Sequence, residues 1–253
     1  MKAHFQTDRG QVRSHNEDSG GIFYNAANQL LAVIADGMGG HQAGDVASQM
    51  ATQLLQEKWE KTEGLNSPDE AETWVEKAIA DANTSIYQYA QENEECFGMG
   101  TTIVIAILLH DILTIAHIGD SRAYIISDET ISQITEDHSL VNALVQSGQI
   151  SKDEAAHHPR KNVVLKALGT EGTVTCDVHS LNFKLDDTLL LCTDGLTDKV
   201  SDNEIYSLVQ AKSELSDVGQ NLITLANERG GEDNISLILI QRETPTKKVG
   251  ESS

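Results

Sequence analysis

Four aspartates in this chain stand at the ends of apolar runs. Asp36 follows LLAVIA, Asp120 follows ILTIAHIG, Asp194 follows TLLLCT, and Asp233 stands just before ISLILI. If those runs are strands of one sandwich, their ends can meet at one rim. Carboxylates brought together repel one another, and burial makes the repulsion worse. Hard divalent cations relieve it, and oxygen-only ligands favour Mg²⁺ or Mn²⁺ over zinc. Two such ions can lower the pKa of a water between them and aim it at phosphorus. Any one of these aspartates alone reads better as a turn residue, because Asp-Gly is a strong turn dipeptide and both Asp36-Gly37 and Asp194-Gly195 fit it. Four together shift the balance toward ligands, and a glycine lets a metal approach a backbone carbonyl closely.

Two further groups suit this chemistry. His41 ends the loop Asp36-Gly37-Met38-Gly39-Gly40-His41, and its ring titrates near neutrality, as proton transfer requires. Arg13, followed by Asn16, Glu17 and Asp18, carries the rigid fork that grips phosphate oxygens. Taken singly, a solvated histidine and an ordinary surface ion pair remain the simpler readings.

The elements that must position these groups are legible as periodicities. Strand-like runs lie at residues 29–35, 101–108, 112–118, 123–127, 188–193 and 235–240, with 101–118 read as a hairpin broken at His110 and Asp111. Helical stripes run through 43–61 and 68–92, the second opened by Ser67, Pro68 and Glu70. Ser151 with Glu154 and Ser201 with Glu204 mark later helix starts, and a last helix at 215–229 stops at Gly230-Gly231. Hairpin-like strands followed by long helices predict an α+β fold with antiparallel sheets, the two successive helices pairing on one sheet face.

The bulk composition narrows the function. The 253 residues suit one large domain or two small ones. Lys and Arg total 18 against 39 Asp and Glu, a net charge of −21, which disfavours a nucleic-acid partner. Three scattered cysteines argue against a disulfide framework or a thiolate metal site, and Cys192 reads as core. No signal core or membrane span is visible, so the expected location is cytoplasmic. Residues 243–253 read as a disordered polar tail.

Nine motifs in fixed order resemble the bacterial protein phosphatase 2C family of metal-dependent Ser/Thr phosphatases. They begin with Arg13-Ser14-His15-Asn16-Glu17-Asp18, Asp36 to His41 with Ala43-Gly44, Gly98-Met99-Gly100-Thr101-Thr102, Gly119-Asp120-Ser121-Arg122 and Asp137-His138-Ser139. His158-Pro159 with Asn162, Ala167-Leu168-Gly169, Asp194-Gly195-Leu196 and Gly231-Glu232-Asp233-Asn234 complete the set. The spacing and residues look especially close to the Gram-positive phosphatases that oppose cell-wall-sensing Ser/Thr kinases.

This resemblance implies a four-layer α-β-β-α sandwich over residues 1–242, with a mobile flap at about 145–169. It implies two tightly bound Mn²⁺ or Mg²⁺ ions and a weaker third. Asp36 would bridge two ions, the Gly37 carbonyl would bind one, and Asp194 and Asp233 the other. Asp18 would act through water, and Asp120 with Asp194 would hold the third ion. Arg13 would bind the substrate phosphate and His41 would protonate the leaving oxygen, while a metal-bridging water attacks phosphorus directly. The implied partners are phosphoproteins, including a cognate Ser/Thr kinase, and the implied state is a monomer. Thr193 stands where many members have Ser, with no loss expected.

Three other readings compete. A two-metal phosphodiesterase or nuclease would use the same carboxylates but would want a basic groove. A pseudophosphatase or metal-binding module would lack turnover. A plain acidic domain would be indifferent to loss of Asp36.

Overall fold

The computed structural model describes residues 1–39, 43–211 and 213–242. Two antiparallel sheets lie face to face. The first is built from β1 (Lys2–Asp8), β7 (Arg122–Ile126), β8 (Ile131–Gln133), β10 (Thr188–Cys192) and β11 (Ile235–Gln241), in the order β1-β11-β10-β7-β8. The second contains β2 (Asp18–Tyr24), β3 (Leu30–Met38), β5 (Ile103–Leu109), β6 (Ile112–Ile118) and β9 (Asp177–Asn182), in that order across the sheet, with β4 (Gly100–Thr101) attached to β3. Helices α1 (Ala43–Glu60) and α2 (Pro68–Glu92) cover the second sheet. Helices α6 (Asp202–Gln210) and α7 (Leu215–Glu228) cover the first. Shorter helices α3 (Leu140–Gln146), α4 (Lys152–Ala156) and α5 (Asp194–Thr197) lie in the connections.

This is the expected α+β sandwich, and the layering explains why the central strands are continuously apolar. In β3, Leu30, Ala32 and Ile34 face the inter-sheet core, where they meet Leu189, Leu191, Ile238 and Ile240 of the other sheet. The alternate residues Leu31, Val33 and Ala35 face α1 and α2. A strand buried on both faces needs no polar alternation. Helix stripes supply the outer layers: Ala47, Ala51 and Leu55 from α1 and Val75, Ile79 and Ile86 from α2.

Local signals hold where they were read. Ser67 accepts from the Glu70 N–H at 3.2 Å, and Pro68 opens α2. Capping boxes start α4 at Ser151 and α6 at Ser201. The β5–β6 hairpin turns at His110, whose φ is +55°, and Asp111. Cys192 is fully buried, and burial pushes its thiol up to about 12. The segment expected as a flap holds α4 and is joined at its far end to α2. Asn83 accepts from the Gly169 N–H at 2.8 Å and donates to the Glu171 carbonyl at 3.0 Å. The tail at 243–253 lies outside the described residues.

Truncating Leu191→Ala opens a cavity between the sheets and costs about 2–5 kcal/mol. Leu185→Ala, at a residue 46% exposed, changes stability by about 0.5 kcal/mol or less. Urea unfolding of both variants checks the contrast in midpoint.

Candidate metal centre

The carboxylates expected at the site come from both sheets and meet at one rim. Asp18 opens β2 and stands directly opposite Asp36 in the β2–β3 register. Asp120 follows β6, Asp194 follows β10 as the first residue of α5, and Asp233 precedes β11. Like charges directly opposite across a ladder destabilise it, so this pairing needs compensation.

The turn explanation fails for both Asp-Gly pairs. Asp36 and Gly37 lie inside β3, which continues to Met38. A Cβ on Gly37 would sit 2.0 Å from the Gly44 carbonyl oxygen and 2.6 Å from that of Glu17. Gly195 lies in the helical turn that Asp194 opens, and a Cβ there would sit 2.0 Å from the Asn234 carbonyl oxygen. Both glycines are required by backbone packed against backbone, which closes the rim tightly around the aspartates.

Hydrogen bonds fix the Asp36 backbone and the Asp18 carboxylate. The Asp36 N–H donates to Thr102 Oγ1 at 3.0 Å, and its carbonyl accepts from the Thr102 N–H at 2.8 Å and Thr101 Oγ1 at 2.9 Å. Asp18 Oδ2 accepts from Ser236 Oγ at 2.6 Å and Thr193 Oγ1 at 3.0 Å. The Thr193 hydroxyl also accepts from the Ser236 N–H, so a small hydroxyl is what this position needs. Asn234 ties down the Arg13 loop: its side chain donates to the Arg9 and His15 carbonyls and accepts from the Glu17 N–H. Sequence reasoning gave Asn234, Ser236 and Thr102 no role. Nothing in their periodicity marks them, because their partners are distant in the chain.

The electrostatics are those of uncompensated negative charge. Burial, then the neighbouring Asp18, Asp194, Asp120 and Asp233, push the Asp36 carboxyl well above the usual carboxylate range. Burial, then Asp120 and Asp233, do the same to Asp194. Burial raises Asp18 to about 7, against its hydroxyl donors, and raises Asp120 to about 6 with Asp137 adding to the effect. Asp18 Oδ1 and Asp194 Oδ1 are buried with no hydrogen-bond partner among the described residues. Arg13 reaches this rim and donates to Asp233 Oδ2 at 2.8 Å. His41 lies outside the described residues.

Orphaned buried oxygens, mutual repulsion and an all-oxygen donor set fit hard divalent cations. A different group is already gathered to ligand spacing. His117, His138 and Asp177 each offer one atom, all within 4.8 Å of one another, and form the candidate metal-binding triad of the described residues. Its nitrogen donors would suit a softer ion than the rim does. Beside the rim runs a cleft of about 540 Å³, walled by Asp120, Arg122, Asp137, Val145, Lys161 and Asp194 among others.

A sequence profile described as protein phosphatase 2C matches residues 6–236. The chain belongs to the protein phosphatase 2C family. The serine/threonine phosphatase stp of Listeria welshimeri is 49% identical over 247 residues, covering 98% of each chain. Among solved structures, serine/threonine phosphatase Stp1 from Staphylococcus aureus superposes with a TM-score of 0.93 at 46% identity, covering 96% of this chain and 95% of that one. The catalytic domain of the serine threonine protein phosphatase PstP, solved in complex with two manganese ions, gives a TM-score of 0.82 at 33% identity over 94% of this chain and 96% of that one. No helix among the described residues is long and apolar enough to cross a membrane.

The raised carboxyls set a pH signature for the metal-free protein. Asp18 near 7 and Asp120 near 6 keep their protons in the fold at pH values where the unfolded chain, at 3.8, has lost them. The folded state therefore binds more protons, and stability falls as pH rises from about 4 through about 7. Thermal melts in chelator will fall across that window. Asp18→Asn will flatten the slope, and Mn²⁺ will stabilise most at the high-pH end.

Proposed function

We propose that this chain is a metal-dependent protein phosphatase that hydrolyses phosphoserine and phosphothreonine at the aspartate rim. The observation that carries the reading is the convergence of five buried or half-buried carboxylates from both sheets, two with orphaned oxygens, with Arg13 bonded to one of them. Family membership supplies the reaction class, and the related phosphatases named above act on serine and threonine by their names.

In this reading Asp36, the Gly37 carbonyl, Asp194 and Asp233 would hold two ions. Asp18 would support them from outside, and Asp120 with Asp194 would take a weaker third. The two manganese ions of the related catalytic domain support the count, and the donor set accepts Mn²⁺ or Mg²⁺. Bound there, the ions supply neutralising charge and a water of lowered pKa as nucleophile.

The protein's own groups do the rest. Thr102 anchors the Asp36 backbone, and Thr193 and Ser236 hold the Asp18 carboxylate, so little reorganisation is needed during reaction. Arg13 orients the phosphoryl oxygens, and its contact with Asp233 keeps the guanidinium at the rim. His41 gives a proton to the departing serine or threonine oxygen, which would otherwise leave as a poor alkoxide. The cleft leading to Asp120 and Asp194 receives the peptide around the phosphoresidue, with residues 145–169 as its wall and substrate-selective flap. Its substrates are phosphoproteins in the cytoplasm, including a Ser/Thr kinase, and it works as a monomer.

The test is release of phosphate from a phosphothreonine peptide. Wild type will turn over with Mn²⁺ and stop with chelator. Asp194→Ala will lose about 100-fold or more, and Arg13→Ala will chiefly raise KM. Asp120→Ala will retain the tight ions and lose most turnover. Equal activity in wild type and Asp194→Ala would refute the assignment.

A further inference from the structure

The triad of His117, His138 and Asp177 lies outside the aspartate rim, and its hydrogen bonds give it a task other than holding a metal. The Gly119 N–H donates to His138 Nδ1 at 3.1 Å, so that nitrogen is an acceptor and carries no proton. The neutral ring must then carry its proton on Nε2, which faces Asp177 Oδ2 at 3.5 Å. A protonated Nε2 cannot ligate, and the Nδ1 lone pair is already used. His117 is fixed as the same tautomer: its Nε2–H donates to the Glu136 carbonyl at 2.9 Å, leaving Nδ1 buried with no partner among the described residues. The two rings stack with centroids 4.8 Å apart and 14° between planes. Burial lowers the pKa of both, which favours the neutral forms.

His138 holds Gly119 twice. Besides the ring contact, its backbone N–H donates to the Gly119 carbonyl at 2.9 Å. Gly119 has a φ of +102°, and a Cβ there would sit 2.6 Å from the Thr102 side chain. The residue on the other side of Asp120 is also pinned, because Ser121 Oγ lies 2.7 Å from Thr102 Oγ1, the acceptor of the Asp36 N–H. On its far side, the His138 carbonyl accepts from the Leu165 N–H at 2.7 Å. Ser139 bridges Val164, and the Leu140 N–H donates to the Val163 carbonyl at 2.8 Å.

We propose that His138 is a positioning residue for Asp120, clamping the Gly119–Asp120 turn to the end of the 145–169 segment. The proposal rests on the reading of Asp120 as a ligand of the weaker ion. The clamp makes the direction of that carboxylate depend on where residues 163–165 sit. The flap and the weaker ion site are thereby one mechanical unit, and occupancy of one biases the other.

The experiment uses the full chain labelled with ¹⁵N, without metal and then with Mn²⁺. Without metal, the His138 ring signals are expected to report the Nε2–H form, and the Gly119 amide to be protected from exchange. An Nδ1–H form in wild type would overturn the clamp, and this readout needs no variant to fold. In His138→Ala the Gly119 amide will exchange about tenfold faster or more. The Mn²⁺ concentration for half-maximal phosphopeptide hydrolysis will rise about fivefold, roughly what one neutral hydrogen bond is worth. His138→Asn places an acceptor where Nδ1 stood and will stay within about twofold of wild type in both readouts.

Equal defects in the Ala and Asn variants would overturn the proposal. So would a lower melting temperature with unchanged Mn²⁺ dependence, which is what a merely structural residue gives. One equivalent of Zn²⁺ that shifts both ring systems and removes the Nε2–H signal would make the triad a metal site and overturn it too. Asp120→Ala separates the two readings: unchanged Mn²⁺ dependence there removes the ligand role of Asp120, and Gly119 exchange then decides whether the clamp exists.

Discussion

Carboxylates in this protein are forced together where water cannot screen them. Asp18 and Asp36 face one another across a ladder, and Asp120, Asp194 and Asp233 arrive from other strand ends. Burial and mutual repulsion hold several of them toward the protonated form at neutral pH. A fold does not keep such an arrangement for stability, because an unpaired buried charge is among the most costly features a core can contain. The arrangement becomes favourable when cations take the charge, and the surrounding architecture serves to hold the carboxylates until they do.

That holding has two levels. The sandwich brings strand ends of both sheets to one rim, with apolar side chains between and outside the sheets fixing the strands. A finer layer of hydroxyls and amides then sets the rim: Thr102 at the Asp36 backbone, Thr193 and Ser236 at the Asp18 carboxylate, Asn234 at the Arg13 loop. The glycines at 37 and 195 belong to this layer, since any side chain there would drive neighbouring backbone apart. His138 extends it outward by tying the Asp120 turn to residues 163–165.

The central strands and long helices were legible because burial on both faces leaves an uninterrupted apolar signature. β3, β5, β6, β10 and β11 all carry it. The strands that the sequence analysis did not single out are β1, β2, β8 and β9, which are the four edge strands of the two sheets. Their partial exposure lets Lys2, His4, Ser132, Asp177 and His179 intervene, and β2 carries two glycines. The helix at Leu140–Gln146 was missed for a related reason: it buries none of its residues fully, so no stripe appears. The rim aspartates could be picked out as strand-end residues, and the motif order gave their family. Their mutual opposition, and the hydroxyls that hold them, depend on registers between segments up to 218 residues apart, as in the Ser236–Asp18 contact. Local pattern carries no such information.

The function of this protein turns on whether the rim holds metal. Anomalous scattering from a crystal soaked in Mn²⁺ addresses this directly. Two peaks about 3.5–4 Å apart among Asp36, Asp194 and Asp233 are the predicted result. An empty rim, or manganese found only between His117, His138 and Asp177, would contradict it.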